Sequence, residues 1–373
     1  MIISILKKWG LMVDEVRFGI QKIIKIFGSD ISRNALVKAE ASGNIPLASR
    51  RETGTLKRRA WGIEDLPHIG EQYGFLKHLE RPLALSVFTT KGGVLKTTLS
   101  LNIARMAALH NIRTCVVGLD MQSDITTALG FNTDLEESED LQSAITRLNS
   151  TRGLLNVFKG EVPLEDVVLP TDIPTLSFIP ETPELVALDQ LISNKNRREY
   201  WLKEHVIEPL KQQFELVIMD CSPNWNRLIT NALVSCDALV SPLECKINNF
   251  RNYQAFRVFL EEFRKELKLD FDFIFIPTRF TSTRKLSAEI RSWYLTHVPG
   301  CIHGSIRESV HGEEAVAQHV SVPEYVPNSL AADEMREAIL EIWNRLIEAS
   351  KKQKVGRGSR LTPEVTATKE VTL

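Results

Sequence analysis

The chain has 373 residues, 43% of them apolar and 25% charged. These values exclude a wholly disordered, collagenous or multi-span membrane chain, and the length allows two or three domains. The net charge of −1 is unevenly spread: residues 1–83 carry 14 Lys/Arg against 9 Asp/Glu, residues 84–350 carry 26 against 36, and residues 351–373 carry 6 against 2. A basic head and tail around an acidic body is read either as polyanion contact at the ends or as solvated basic surface. Five cysteines without a C-x-x-C pair argue against a disulfide framework or zinc site and fit a reducing cytoplasm.

In chain order, Val13, Val16, Ile20, Ile23, Ile24 and Phe27 recur at helical spacing. They predict an amphipathic helix in segment 1–28, suited to core or dimer packing. Seven charged residues interrupt Met1–Phe27, so neither a secretory signal nor a bilayer-spanning run is read there. Residues 29–81 are predicted to form a small helical domain. Ser32 caps a helix running to Ala41, and Gly43-Asn44-Ile45-Pro46 ends it. A basic stretch containing Gly54 follows, then Trp61 and a second helix near Glu64–Leu76.

From residue 82 to 350 short apolar runs alternate with helical stretches. Strands are predicted at Leu83–Phe88, Thr114–Leu119, Thr175–Ile179, Leu216–Asp220, Ala238–Pro242 and Phe271–Pro277. Helices are predicted at Lys96–His110, Pro183–Leu191, Arg198–Gln213, Trp225–Val234, Asn249–Leu267, Ser282–Leu295 and Ala332–Ser350. Continuous apolar runs are the mark of strands buried on both faces, so the fold class is α/β with a doubly wound, mostly parallel sheet. Residues 351–373 lose periodicity and read as a disordered basic tail.

The segment Leu83–Arg105 carries the chemistry. A buried strand, LALSVF, runs into the loop TTKGGVLKTT and then into an amphipathic helix, LSLNIAR. Gly92 and Gly93 allow backbone N–H groups to curl round phosphate oxygens, and the helix N-terminus adds a favourable partial charge. Val94, Leu95, Lys96, Thr97 and Thr98 complete the candidate nucleotide contact. Lys96 is placed at the β/γ-phosphates and the Thr97 hydroxyl at Mg2+. The general pattern G-x-x-x-x-G-K-[ST] is not met, because Thr90 and Leu95 stand where its glycines belong. The match is K-G-G-x-x-K-[ST], with a further lysine, Lys91. This resembles the deviant Walker A motif of the ParA/MinD class of P-loop ATPases. The resemblance implies ATP and Mg2+ as cofactors and a homodimer in which Lys91 reaches the partner's ATP. Such a cation offsets charge developing on the transferred phosphoryl group.

Further segments extend the resemblance. Thr114–Leu119 leads into Asp120-Met121-Gln122, similar to the family's D-x-D-x-Q with Gly118 in place of the first Asp. The likeness gives Asp120 a share in positioning the attacking water. Asp124 is read as a helix N-cap or as a substitute for the missing carboxylate. Phe214–Asp220 looks like a Walker B strand, with Asp220 holding Mg2+ through water. Pro277, Thr278 and Arg279 resemble the P-T-R stretch near the adenine, or are a turn after an edge strand. Ile306–Ser329 resembles a late segment of the same family.

Residues 31–60 carry Arg33, Lys38, Arg50, Arg51, Lys57, Arg58 and Arg59 against Glu40 and Glu52. Helix, turn, basic ribbon and helix resemble the winged helix-turn-helix at the head of large ParA proteins. That places Arg33, Asn34 and Lys38 in a DNA major groove and Arg50, Arg51, Arg58 and Arg59 near phosphates. The bland alternative is a basic helical cap for dimer packing. The leading reading is a ParA-like partition ATPase, cytoplasmic and nucleoid-associated. It dimerises on ATP, binds DNA nonspecifically and at its operator, represses its own operon, and is stimulated by a ParB-like centromere-binding protein. The alternatives are a nucleotide-sensing DNA-binding regulator with little hydrolysis, and a MinD-like positioning ATPase. The polar tail argues against the membrane contact that the last one needs.

Overall fold

The structure, a computed structural model, describes residues 16–53, 56–131 and 151–352. At the head, Phe18 and Gly19 form a short strand, β1 (Phe18–Gly19), before helix α1 (Ile20–Ile26). The expected amphipathic helix therefore begins only at Ile20 among the described residues. Residues 17–19 are drawn out because Phe18 and Gly19 pair antiparallel with Trp61 and Ala60, and Val16 is exposed. Met1–Glu15 lie outside the described residues. Helix α2 (Arg33–Ala41) starts where Ser32 predicts, with its hydroxyl accepting from Ala35 N at 3.1 Å. Strands β2 (Ser49–Thr53) and β3 (Leu56–Trp61) form an antiparallel hairpin that completes a three-stranded sheet in the order β1-β3-β2. Trp61 is fully buried, and its indole N–H is satisfied by Pro46 O at 2.8 Å. Helix α3 (Leu66–Tyr73) closes the head.

The body is built on an eight-stranded sheet. Its strands are β4 (Leu83–Val87), β5 (Thr114–Leu119), β6 (Leu169–Pro170), β7 (Leu176–Ile179), β8 (Leu216–Cys221), β9 (Ala238–Glu244), β10 (Asp272–Phe280) and β11 (Ile306–Arg307). The order is β11-β10-β9-β4-β8-β5-β7-β6, and every pairing is parallel except β6 with β7. The two side-chain sets of the central strands β4, β8 and β9 enter two different cores. Leu83, Leu85, Val87, Ile218 and Val240 face one side, while Ala84, Val217, Met219 and Leu239 face the other. Helices cover both faces, as continuous apolar strands require. On the first face lie α4 (Lys96–Leu109), α5 (Asp124–Ala128) and, near the end of the chain, the long α14 (Leu330–Lys351). The second carries α6 (Leu154–Lys159), α7 (Leu185–Ile192), α8 (Glu208–Leu210), α9 (Arg227–Ser235) and part of α10 (Ile247–Glu266). Between α10 and α14 come α11 (Lys285–His297), α12 (Val310–Ala317) and α13 (Val322–Tyr325).

Helix α4 departs from its sequence pattern. It reads as amphipathic but is buried nearly all round. The head packs over it so closely that a Cβ on Gly70 would lie 1.9 Å from Leu109 O. Its polar side chains are satisfied inside. Arg105 binds Asp172 (2.8 and 2.9 Å) and Glu324 (2.8 Å twice), and Asn102 accepts from Val322 N at 2.8 Å. The helix expected over Arg198–Gln213 is also broken. A 3-10 turn (Arg198–Tyr200) precedes a π segment (Lys203–Ile207) and then α8. Pro209 brings no N–H and crowds the carbonyl four residues earlier, which accounts for the wider turn before it. No helix among the described residues is long and apolar enough to cross a membrane. None of the five cysteines is joined in a disulfide, and of the tail only Lys351 and Lys352 are described.

Candidate functional site

Parallel strands bring their C-terminal ends to one edge of the sheet, and chemistry collects there. After β4 the chain turns through residues 88–95 and enters α4 at Lys96. Leu95, which stands where the general pattern has glycine, takes that glycine's conformation: its φ is 73° and ψ 27°. A left-handed leucine costs about 1 kcal/mol or more, so the loop is held by its surroundings. A Cβ added at Gly92 or Gly93 would meet nothing within 4 Å. The space beside both glycines is thus open, as a phosphate cradle requires.

Four side chains, Lys96, Thr97, Ser100 and Asp220, converge beneath the loop. Lys96 is only 7% exposed, and its Nζ donates to Lys91 O at 3.1 Å, folding the ammonium back over the loop. Burial pulls its pKa below the ordinary value, opposed by the charges of Asp220 and Asp120. The Thr97 hydroxyl donates to Asp220 Oδ2 at 2.9 Å, and Ser100 Oγ donates to Oδ1 at 2.5 Å. Asp220, one residue before the end of β8, is fully buried. Burial pushes its carboxyl up to about 6, against the lowering effect of both hydroxyls and of Lys96. A hydroxyl beside a carboxylate is a hard oxygen donor set, which suits Mg2+. The open cradle above Lys96 suits phosphate oxygens. The residues present therefore fit a magnesium nucleotide. Sequence reasoning missed Ser100; its signal is the spacing of three from Thr97, which puts both on one helix face.

Asp120 follows β5. Its backbone N–H donates to Glu181 Oε1 at 3.0 Å, and its own carboxylate accepts from Gln122 N at 3.2 Å. Asp124 is not the expected N-cap: Ser123 holds that position, at φ 58°, and Asp124 is the first residue of α5. Burial and then the Asp120 charge raise the Asp124 carboxyl. Lys91 is ion-paired within its own chain to Glu244, the last residue of β9. Lys246 joins the same carboxylate at 2.9 Å. Burial acts to raise Glu244, but the two lysines outweigh it and hold the carboxyl below its ordinary value. Thr278 is buried in β10 and donates to Val94 O at 3.4 Å, which ties that strand to the loop. Pro277 pairs with Leu243, and Arg279 has a φ of 49° and reaches Glu308 at 3.5 Å. β10 is not an edge strand, since β11 lies beyond it. Thr98 sits in the first turn of α4 and its carbonyl accepts from Asn102.

The candidate DNA residues lie far off in sequence, on the head. Arg33, Asn34 and Lys38 are exposed on α2. The hairpin register sets Arg50 opposite Arg59 and Arg51 opposite Arg58. Like charges at facing positions destabilise a hairpin unless an anion relieves them. Arg59 is partly committed, with its Nε 2.5 Å from the buried Glu40. A cleft of about 580 Å3 lies between α1, α2 and β3, lined among others by Lys22, Arg33, Arg58 and Arg59. Lys22 was not singled out from the sequence, because its place beside the hairpin depends on tertiary packing.

The AAA domain family matches residues 84–276, just over half of the chain. The chromosome partitioning protein ParA of Myxococcus xanthus is 28% identical over 162 residues, covering 43% of this chain and 52% of that protein. The cell division protein PomZ of the same organism is 26% identical over 262 residues, covering 70% of this chain and 77% of its own length. The chain thus spans about half the length of the ParA relative. A solved Cyanothece McdA–ATP complex superposes with a TM-score of 0.59 at 18% identity, over 74% of this chain and 99% of that one. That likeness shows a shared fold. By its strand–loop–helix phosphate site and by the family match over residues 84–276, the chain belongs to the AAA domain family, and it is similar to ParA-type partition proteins.

Proposed function

We propose that this protein is an ATP-hydrolysing DNA-segregation switch. The observation that carries the proposal is the convergence of Lys96, Thr97 and Asp220 under the open Gly92–Gly93 cradle. Backbone N–H groups of residues 92–98 and Lys96 hold the phosphates of ATP, while Thr97 and Asp220 hold Mg2+, which neutralises phosphate charge when bound. Asp120 orients the attacking water. Pro277, Thr278 and Arg279 flank the adenine. Lys91 leaves Glu244 when a second copy docks and then neutralises the partner's phosphates, so that dimerisation depends on ATP.

The head is proposed as a winged helix-turn-helix: α1 and α2 are its helices and β2–β3 its wing. The exposed face of α2 and the facing arginines of the hairpin support this reading. Arg33, Asn34 and Lys38 enter the major groove of an operator, and Arg50, Arg51, Arg58 and Arg59 contact phosphates. The ATP dimer binds DNA nonspecifically, and a ParB-like centromere-binding partner stimulates hydrolysis and release. Basal hydrolysis is weak, and the protein works on the nucleoid in the cytoplasm. The test is phosphate release with DNA present. Lys96→Ala and Thr97→Ala should each abolish it, and full hydrolysis by Lys96→Ala contradicts the assignment.

A further inference from the structure

The region around Gly118 holds a carboxylate that no motif accounts for. Glu181 lies two residues beyond β7 and is 2% exposed. It fills the room that Gly118 leaves empty: a Cβ on Gly118 would stand 2.3 Å from Glu181 Cγ and 2.7 Å from Cδ. Contacts that close are not tolerated, so glycine at 118 and glutamate at 181 are one arrangement. The carboxyl grips both ends of a single segment. Oε1 accepts from Asp120 N at 3.0 Å, and Oε2 lies 3.3 Å from Thr126 N and 3.2 Å from Thr126 Oγ1. The threonine hydroxyl in turn accepts from Glu181 N at 2.8 Å. Between Asp120, the first anchor, and Thr126 run Met121, Gln122 and the left-handed Ser123.

An apolar side chain would fill the same space without desolvating a carboxyl. Burial raises the Glu181 pKa well above its usual range, and the neighbouring charge of Asp220 adds to this. The arrangement costs stability, and what it provides is one rigid acceptor for two backbone N–H groups six residues apart.

We propose that Glu181 is a positioning residue for the water-orienting carboxylate: it clamps residues 120–126 so that Asp120 is held at the phosphate loop, and Gly118 is glycine to admit it. The inference rests on the reading of Asp120 given above. Glu181 touches no nucleotide itself, so its removal should slow the chemical step and spare ATP binding.

The test uses the full chain with ATP, Mg2+ and a random-sequence duplex. ATP affinity and single-turnover hydrolysis are measured separately for Glu181→Gln, Gly118→Ala, Asp120→Ala and the double variant Asp120→Ala/Glu181→Gln. Glutamine keeps the shape but turns an N–H donor toward one of the two ends. Gly118→Ala displaces the glutamate without altering it, which keeps the test usable if one variant folds poorly. Glu181→Gln and Gly118→Ala should each slow the single turnover by about 10- to 100-fold, the range for small misplacements of catalytic groups. Their ATP affinity should stay within about twofold of wild type, and Glu181→Gln should add nothing once Asp120 is removed. Wild-type hydrolysis by both single variants, with Asp120→Ala slow, overturns the inference and leaves the reading of Asp120 intact. A further loss in the double variant also overturns it, because Glu181 then acts other than through Asp120. Wild-type hydrolysis by Asp120→Ala removes the reading of Asp120 and the inference together.

Discussion

On the proposed reading, Asp220 is buried for a task that needs nucleotide, so the nucleotide-free protein should be strained, and the strain can be measured. In the fold the carboxyl sits at about 6, raised from 3.8 mainly by burial. A raised carboxyl favours the protonated form in the native state. Its contribution to stability is therefore fully present below 3.8 and is lost as pH rises through about 6. At pH 8 the native protein bears the whole cost, about 3 kcal/mol at 1.36 kcal/mol per pKa unit. Asp220→Asn stays neutral and escapes that cost. Its amide nitrogen must face either the Thr97 or the Ser100 hydroxyl, and losing that charge-assisted bond returns about 1 kcal/mol. Asp220→Asn should thus stabilise the nucleotide-free protein by about 2 kcal/mol at pH 8 and by clearly less at pH 5. Denaturant unfolding of both proteins at the two pH values, without nucleotide or metal, gives the difference directly, and titrations common to both cancel. The same variant should lose Mg2+-dependent ATP affinity, an exchange of function for stability. A variant less stable than wild type at pH 8, or an advantage that does not shrink with acid, refutes the reasoning.

Three further outcomes follow from buried groups of α4 and its C-cap and from the carboxylates that pair with them. His110, at the C-terminal end of that helix, accepts from Phe75 N at 3.0 Å and packs edge-on against Phe27 and Phe75. Burial lowers it to about 4, so its contribution is present above 6.5 and is lost as pH falls toward 4. It amounts to about 3 kcal/mol, and His110→Gln should flatten that part of the acid-unfolding profile. Arg105→Met leaves Glu324, itself 2% exposed, without its cation. It should cost about 3–5 kcal/mol in denaturant unfolding, as broken buried ion pairs do. Asp172→Asn should cost less, since that carboxylate is one-third exposed.

What the sequence made legible is what local spacing encodes. The strand ending in Asp220 and the K-G-G-x-x-K-T loop each declare themselves within a dozen residues, and the register of parallel strands brings them together. Ser32 announces α2 in the same way. Groups that act across the fold carry no such mark. Glu181 lies 61 residues from the backbone N–H it holds. Ser100 reads as an ordinary polar position on α4. The polar residues of that helix mimic a solvent face because their covers, Asp172, Val322 and Glu324, come from distant segments. The strand at Phe18–Gly19 is two residues long and exists only because Trp61 and Ala60 lie beside it. No periodicity could show it.

The central claim, that nucleotide switches DNA contact, is tested most directly by the anisotropy of a labelled random-sequence duplex titrated with the full chain. The titration is run without nucleotide, with ADP and Mg2+, and with a slowly hydrolysed ATP analogue and Mg2+, at two salt concentrations. Tight binding that appears only with the ATP analogue and weakens steeply with salt is the predicted result. Equal affinity in all three states contradicts the account and makes the basic head, independent of the ATPase site, the protein's main contact with DNA.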